Sequence, residues 1–307
     1  MPTAYITHPL CLKHDMGEYH PESPARIRAI EEQLLEAGLL DCLQCHEAPE
    51  ATREQLLRVH DADYVDFIEA SAPQRGMVQL DPDTAMNPFT YPAALRAAGA
   101  VVLGVDLVMS GKAENAFCNS RPPGHHAERA RAMGFCIFNN VAVGVAHALA
   151  QHGLQRVAIA DFDVHHGNGT ENIFHDNPRV MLCSTFQHPF YPYAGAGSGN
   201  DHIINVPLAA GTDGAGFRAA VTQYWLPALE EFQPELLLIS AGFDAHRDDE
   251  MAMLKLVEPD YSWVTMELKR IAEKYARGRI VSVLEGGYEL HALGRCALAH
   301  IRALSGL

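Results

Sequence analysis

Two aspartates and two histidines fall within the six positions of Asp161-Phe162-Asp163-Val164-His165-His166, a pattern that reads as a metal-binding strand end. In an extended chain residues two apart share a face, so Asp163 and His165 converge on one point with Asp161 behind them. Gly167 and Gly169 give the backbone room to turn just afterwards. Asp244, in Ser240-Ala241-Gly242-Phe243-Asp244-Ala245-His246, supplies a third ligand from a distant segment. Three nitrogen and oxygen ligands with a position left for water describe a catalytic zinc site rather than a structural one. Two of the three are anionic, so bound water would be less acidified than at an all-histidine site. A neighbouring base is then required, and Fe²⁺ or Co²⁺ can substitute. One aspartate after a strand is usually a helix cap; this density of ligands is not explained that way.

The base is sought in Arg121-Pro122-Pro123-Gly124-His125-His126. Two prolines stiffen the approach, and Gly124 allows a sharp turn that presents adjacent imidazoles. With separate partners the two rings can do separate jobs. Asp161 is expected to orient His125 and keep it more basic. The neutral Asn168 is expected to hold His126 without raising its pKa much, leaving it free to take a proton from water and return it to a leaving amine. Glu285-Gly286-Gly287-Tyr288 completes the set: its glycines permit close backbone approach, and Tyr288 can direct a hydroxyl at an oxygen on which charge develops.

These groups need a scaffold that gathers distant segments. A helix is expected from Ser23, with Pro24 in its first turn, Ile27, Ile30, Leu34 and Leu35 on its buried face and Gly38 closing it. A second runs from about Pro92 to Val108, with Gly111 as its stop. Short apolar runs then alternate with helices: strands at Asn115–Asn119, Val157–Ala160, Val180–Cys183, Leu236–Ile239 and Ile280–Leu284, and helices at about Asn140–Gln151 and Asp260–Tyr275. That alternation implies a parallel sheet covered on both faces. The chemically capable residues follow these strands directly. In a parallel sheet all C-terminal strand ends lie on one edge, so four separate segments converge there.

Bulk properties fit this α/β reading. The 307 residues, 48% hydrophobic and 20% charged, suit one domain spanning 1–307 without linker or repeat. A net charge of −15 argues against general nucleic-acid binding and favours encounter with cationic partners. No apolar run is expected to reach the roughly 18–20 residues that span a bilayer. Met1-Pro2-Thr3-Ala4-Tyr5 lacks the basic start of a secretory signal. Seven cysteines without a paired framework suit a reducing, cytoplasmic setting, and Cys42-Leu43-Gln44-Cys45 lacks a second pair to complete a zinc ribbon.

Taken together, these blocks resemble the histone deacetylase superfamily, in particular its class II-like bacterial amidohydrolases and acetylpolyamine amidohydrolases. The similarity runs from His20-Pro21-Glu22-Ser23-Pro24-Ala25-Arg26 through Val59-His60-Asp61 and Gly134-Phe135-Cys136 to Glu285-Gly286-Gly287-Tyr288. It implies an arginase/deacetylase-like α/β/α sandwich around an eight-stranded parallel sheet, acting on acetyl-lysine or other acetylated amines. By motif, Asp163, His165 and Asp244 match the zinc ligands, His126 the general acid–base and His125 its electrostatic assistant. Tyr288 matches the residue that polarises the acetyl carbonyl, and Asn168 stands where class I members carry Asp. The resemblance also implies K⁺ at Asp161, the Asp163 and His165 backbone, Ser184 and Thr185, and a second cation near Phe174. Gly134, Phe135 and Tyr191 match the substrate tunnel, Met251 its rim and Asp83 an outer substrate contact; Glu250 stands at the rim where many relatives have Pro.

Two rival readings are open to test. A ureohydrolase would need a second metal-ligand set beside Asp244, which the sequence does not display. A non-catalytic acetyl-lysine reader predicts loss of His125, His126 or Tyr288, and all three are present. The sequence leaves open protein acetyl-lysine against acetylpolyamine as substrate, and fixes no oligomeric state.

Overall fold

In a computed structural model that describes residues 2–307, eight strands form one sheet and are all parallel. In chain order the elements begin β1 (Thr3–Thr7), α1 (Ala25–Glu36), β2 (Gln44–Glu47), α2 (Arg53–Leu56) and α3 (Ala62–Ser71). A small antiparallel hairpin follows, β3 (Val78–Asp81) and β4 (Thr84–Met86), and then α4 (Thr90–Met109). The alternating region comprises β5 (Asn115–Cys118), α5 (Asn140–Gln151), β6 (Val157–Asp161), α6 (Asn168–Phe174), β7 (Val180–Gln187) and β8 (Ile203–Leu208). The chain closes with α7 (Gly214–Ala220), α8 (Leu226–Phe232), β9 (Leu236–Ala241), α9 (Glu258–Tyr275), β10 (Ile280–Leu284) and α10 (Leu290–Ser305). The sheet order is β2-β1-β5-β10-β9-β6-β7-β8.

The period-two alternation of strands divides the core into two layers. Val157 and Ile159 of β6, with Leu236 and Leu238 of β9, pack on the side covered by α4 and α5. Ala158 and Ala160, with Leu237 and Ile239, face the side that includes α9 and α10. Because both faces are covered, β6, β7, β9 and β10 are buried along their whole length and begin as apolar runs.

Three expectations need correction. Leu35 is 62% exposed, whereas Ile27, Ile30 and Leu34 are buried: one step of about 100° carries Leu35 past the edge of the apolar stripe. The helix predicted from Ser23 begins at Ala25, with Pro24 as its N-cap. And α4, with 20 residues and a hydropathy of 1.6, is long and apolar enough by composition to cross a membrane. It is a core helix instead, largely buried and packed on β1, β5, β10 and α5.

The loops after β5, β6, β9 and β10 leave the same sheet edge, which is what brings the motifs together. The first of these loops is braced from below by His60. Its Nε2 accepts the Asn139 N–H at 3.0 Å, so Nδ1 carries the proton and donates to the Glu128 carbonyl at 3.0 Å. Burial lowers the pKa of His60 to about 4. A histidine lowered in the fold binds its proton more readily when unfolded, so its contribution is full above about pH 6.5 and falls away towards pH 4. Wild type should lose about 3 kcal/mol more than His60→Gln between pH 7 and pH 4 in denaturant titrations. Parallel pH profiles of the two proteins would contradict this.

Candidate active site

Asp163 and His165 follow β6, Asp244 follows β9, and their ligand atoms all lie within 4.8 Å of one another in a buried cluster. His165 Nδ1 sits 2.9 Å from Asp163 Oδ1 and 3.2 Å from Asp244 Oδ2. Asp244 Oδ2 is buried with no hydrogen bond among the described residues, while its Oδ1 accepts the Val164 N–H at 2.9 Å. Burial, and then the charge of Asp163, push the Asp244 carboxyl up to about 6. His165 rises to about 10, burial being outweighed by its bond to Asp163 and the nearby Asp244 charge. Two carboxylates forced together with one orphaned oxygen fit a cation, and a mixed oxygen–nitrogen set fits zinc. The cradle is closed by glycine: a Cβ on Gly286 would lie 2.0 Å from Asp244 Oδ2, and the Gly286 N–H instead donates to Asp163 Oδ2 at 2.8 Å.

The two histidines divide as their partners dictate. His125 Nδ1 lies 3.0 Å from Asp161 Oδ2; burial opposes its charge, but Asp163 and Asp161 prevail and hold its pKa well above the ordinary histidine value. His126 is held well below that value, first by burial and then by the positive charges of His125 and His165. Its Nδ1 lies 2.8 Å from Asn168 Oδ1. The Asn168 amide nitrogen donates to Glu128 at 2.7 Å, and a carboxylate only accepts, so the amide oxygen must face His126. His126 therefore carries its proton on Nδ1 and presents a lone pair on Nε2. Neighbouring titratable groups with pKa values pushed apart are the pattern of an acid–base site.

Tyr288 follows β10 and lines the same cavity, and burial holds its phenol well above 10, so it remains an O–H donor. Its loop is fixed by groups to which the sequence reading gave no role. Arg26 donates to the Gly287 carbonyl at 2.6 Å and to the Glu285 carbonyl, with its guanidinium 4.9 Å from the Tyr288 ring centre. Glu22 pairs with both Arg26 and Arg121 in full burial, joining the Tyr288 loop to the histidine loop. Glu285 Oε2 accepts the N–H groups of Gly124, at 2.7 Å, and His125, at 3.1 Å. Asp249 accepts the Tyr288 N–H at 2.6 Å and the Met251 N–H at 3.0 Å. Buried carboxylates flanking glycines and histidines were the available signal; which backbone groups they reach depends on the fold.

Asp83, His126, Gly134, Phe135, His165, Phe190, Tyr191, Met251 and Tyr288 surround a cavity of about 180 Å³. The Tyr191 ring stands edge-to-face on His126 at 5.3 Å, and Phe190 stacks on His165 at 5.6 Å, so both aromatics of that pair line the tunnel. Asp83 takes the Gly134 N–H at 3.1 Å, and the Thr84 hydroxyl takes the Phe135 N–H at 3.0 Å, so the hairpin β3–β4 anchors the opposite wall. Glu250 is exposed and not among these lining residues. At the expected potassium position Ser184 pairs in register with Asp161, and its buried hydroxyl has no hydrogen-bond partner among the described residues. Thr185 is buried beside it. Phe174 is buried at the end of α6, its carbonyl accepting from Asn177 at 2.9 Å.

Gly134 adopts φ +57°, and a Cβ there would fall 2.3 Å from His126 Cδ2. Gly134→Ala should tilt the imbalanced ring pair and lower turnover by about 10²-fold, the scale of a 1 Å misplacement. Steady-state kinetics alongside metal content check this; full turnover with the ring still seated would refute it.

The parallel sheet and this constellation together define a hydrolase of the amidohydrolase class. Residues 20–304 match the histone deacetylase domain, and the chain belongs to that family. It is 38% identical to the histone deacetylase-like amidohydrolase of Pseudomonas aeruginosa, over 99% of this chain and 86% of that protein. It is 36% identical to a probable deacetylase of Archaeoglobus fulgidus, over 100% of this chain and 87% of the other. The crystal structure of the HDA15 HD domain superposes with a TM-score of 0.94 at 34% identity, covering 100% of this chain and 90% of that one.

Proposed function

We propose that residues 1–307 form one zinc-dependent deacetylase domain that removes acetyl groups from lysine side chains of proteins or peptides, releasing acetate and the free amine. The observation that carries this reading is the His126 Nε2 lone pair, fixed by Asn168 at a narrow aromatic tunnel and adjoining the Asp163–His165–Asp244 cluster. Zinc, when held by those three residues, supplies Lewis acidity that acidifies water and polarises the acetyl carbonyl. His126 takes the proton from the attacking water, and the Tyr288 hydroxyl donates to the carbonyl oxygen as negative charge grows there. His125, kept cationic by Asp163 and Asp161, balances that charge. His126 then returns its proton to the departing amine nitrogen. Phe135 and Tyr191 flank the lysine methylenes and keep water out. We assign K⁺ to Asp161, the Asp163 and His165 backbone, Ser184 and Thr185, a reading supported by the unpartnered Ser184 hydroxyl.

A second reading, acetylpolyamine as substrate, is favoured by Asp83 in the tunnel lining. Acetate release from acetyl-peptides and acetylpolyamines, measured on chelator-stripped and zinc-reloaded protein, separates the two. The proposal expects activity to vanish with the metal, return as zinc refills the Asp163–His165–Asp244 cluster, and favour peptides. Turnover of acetylpolyamines alone would move the substrate; binding of acetyl-peptide with no acetate released would remove the enzyme.

A further inference from the structure

We propose that Asp106, His147 and His152 form a second metal site, for a divalent transition ion of the zinc class, between α4 and α5. The Nε2 atoms of His147 and His152 each lie 2.8 Å from the same oxygen, Asp106 Oδ1. All three ligand atoms are within 4.8 Å of one another, and the rings stand at 76° with centroids 5.6 Å apart. Around a tetrahedral zinc with bonds of about 2.0 Å, donors sit about 3.3 Å apart, so each nitrogen need withdraw only a few tenths of an ångström. Two imidazoles and a carboxylate leave one position for water.

Independent features of the fold point to a cation there. Asp106 lies in the last turn of α4, and His152 is the C-cap of α5. Both helices therefore direct the negative end of their dipoles at the cluster. Asp106 is 46% and His152 23% exposed at the side chain, which gives an ion access from solvent. The site is also separate from the tunnel, because His152 stands at the far end of α5, about 20 Å along the axis from the Asn139 cap beside the histidine loop.

One neighbour opposes occupancy and makes the idea testable. Arg58 Nη1 lies 3.3 Å from His147 Nδ1, donating to it and so fixing the ring proton on Nε2. Binding through Nε2 requires the neutral ring with its proton moved to Nδ1, where it would meet the guanidinium. Arg58 must then turn wholly to Glu54, with which it already pairs at 2.9 Å. In Arg58→Gln the amide oxygen can accept from Nδ1–H, the usual partner of a metal-bound histidine.

The test is metal stoichiometry of the full chain titrated with Zn²⁺, and with Co²⁺ for its tetrahedral visible band. Wild type should bind one equivalent more than His152→Ala or Asp106→Asn, with acetate release unchanged in both variants. Arg58→Gln should bind that equivalent about tenfold more tightly. Equal stoichiometry in wild type and both variants, each confirmed folded by circular dichroism, would overturn the proposal whether or not the tunnel holds zinc. So would an extra equivalent whose affinity ignores Arg58→Gln.

Discussion

Alanine in place of His126 should lower acetate release by about 10²–10⁴-fold while leaving zinc content and fold intact. The ring touches none of the three clustered ligand atoms through a hydrogen bond; its partner is Asn168. On the proposed mechanism, what is lost is the nitrogen lone pair that takes the water proton and delivers it to the amine, so both halves of the reaction should fail together. The effect should fall on kcat more than on KM, since the tunnel walls remain. Asn168→Asp offers a graded control: a carboxylate against Nδ1 raises the pKa of His126, and the acid limb of the kcat profile should move to higher pH. A His126→Ala protein within tenfold of wild type would mean that another group is the base, with His125 the first to examine.

Tyr288→Phe should cost about 10²–10³-fold in kcat, or about 2.7–4 kcal/mol of transition-state stabilisation. The phenyl ring keeps its place over the Arg26 guanidinium and its edge contact with Phe135, so the tunnel should survive and KM change little. Removing only the hydroxyl isolates its donation to the developing oxyanion. An acetyl analogue that mimics the tetrahedral state should weaken in proportion to kcat, whereas substrate affinity should not. If kcat stays near wild type, the phenol is a wall of the tunnel and nothing more.

The residues of the candidate site were legible because they are local in sequence. Asp163 and His165 share a strand face by the period of two, His125 and His126 are adjacent, and the apolar runs at 157, 236 and 280 announce buried parallel strands. The pairings of His125 with Asp161 and His126 with Asn168 were readable for the same reason, each being one loop reaching the next strand end. Less legible were β1, β2 and β8, which the residue pattern did not delimit. β2 and β8 are edge strands, partly exposed and without a long apolar run, and β1 sets only Ala4, Tyr5 and Ile6 between two threonines. The bracing groups were hidden for a different reason. Arg26, Glu285 and Asp249 act by reaching backbone atoms across large sequence separations, and no spacing rule encodes such a contact.

Asp249 spans the rim and the phenol loop, one oxygen holding Met251 and the other holding Tyr288 and Glu289. Entrance and reaction centre thus share a hinge pin. On the proposed mechanism, a substitution that reshapes the doorway to admit a bulkier acylated amine should also disturb the angle at which the hydroxyl meets its oxygen. Substrate range in this chain cannot drift freely of speed: variants selected for a new cargo should first run slowly, then recover through second changes that reseat the Asp249 carboxylate.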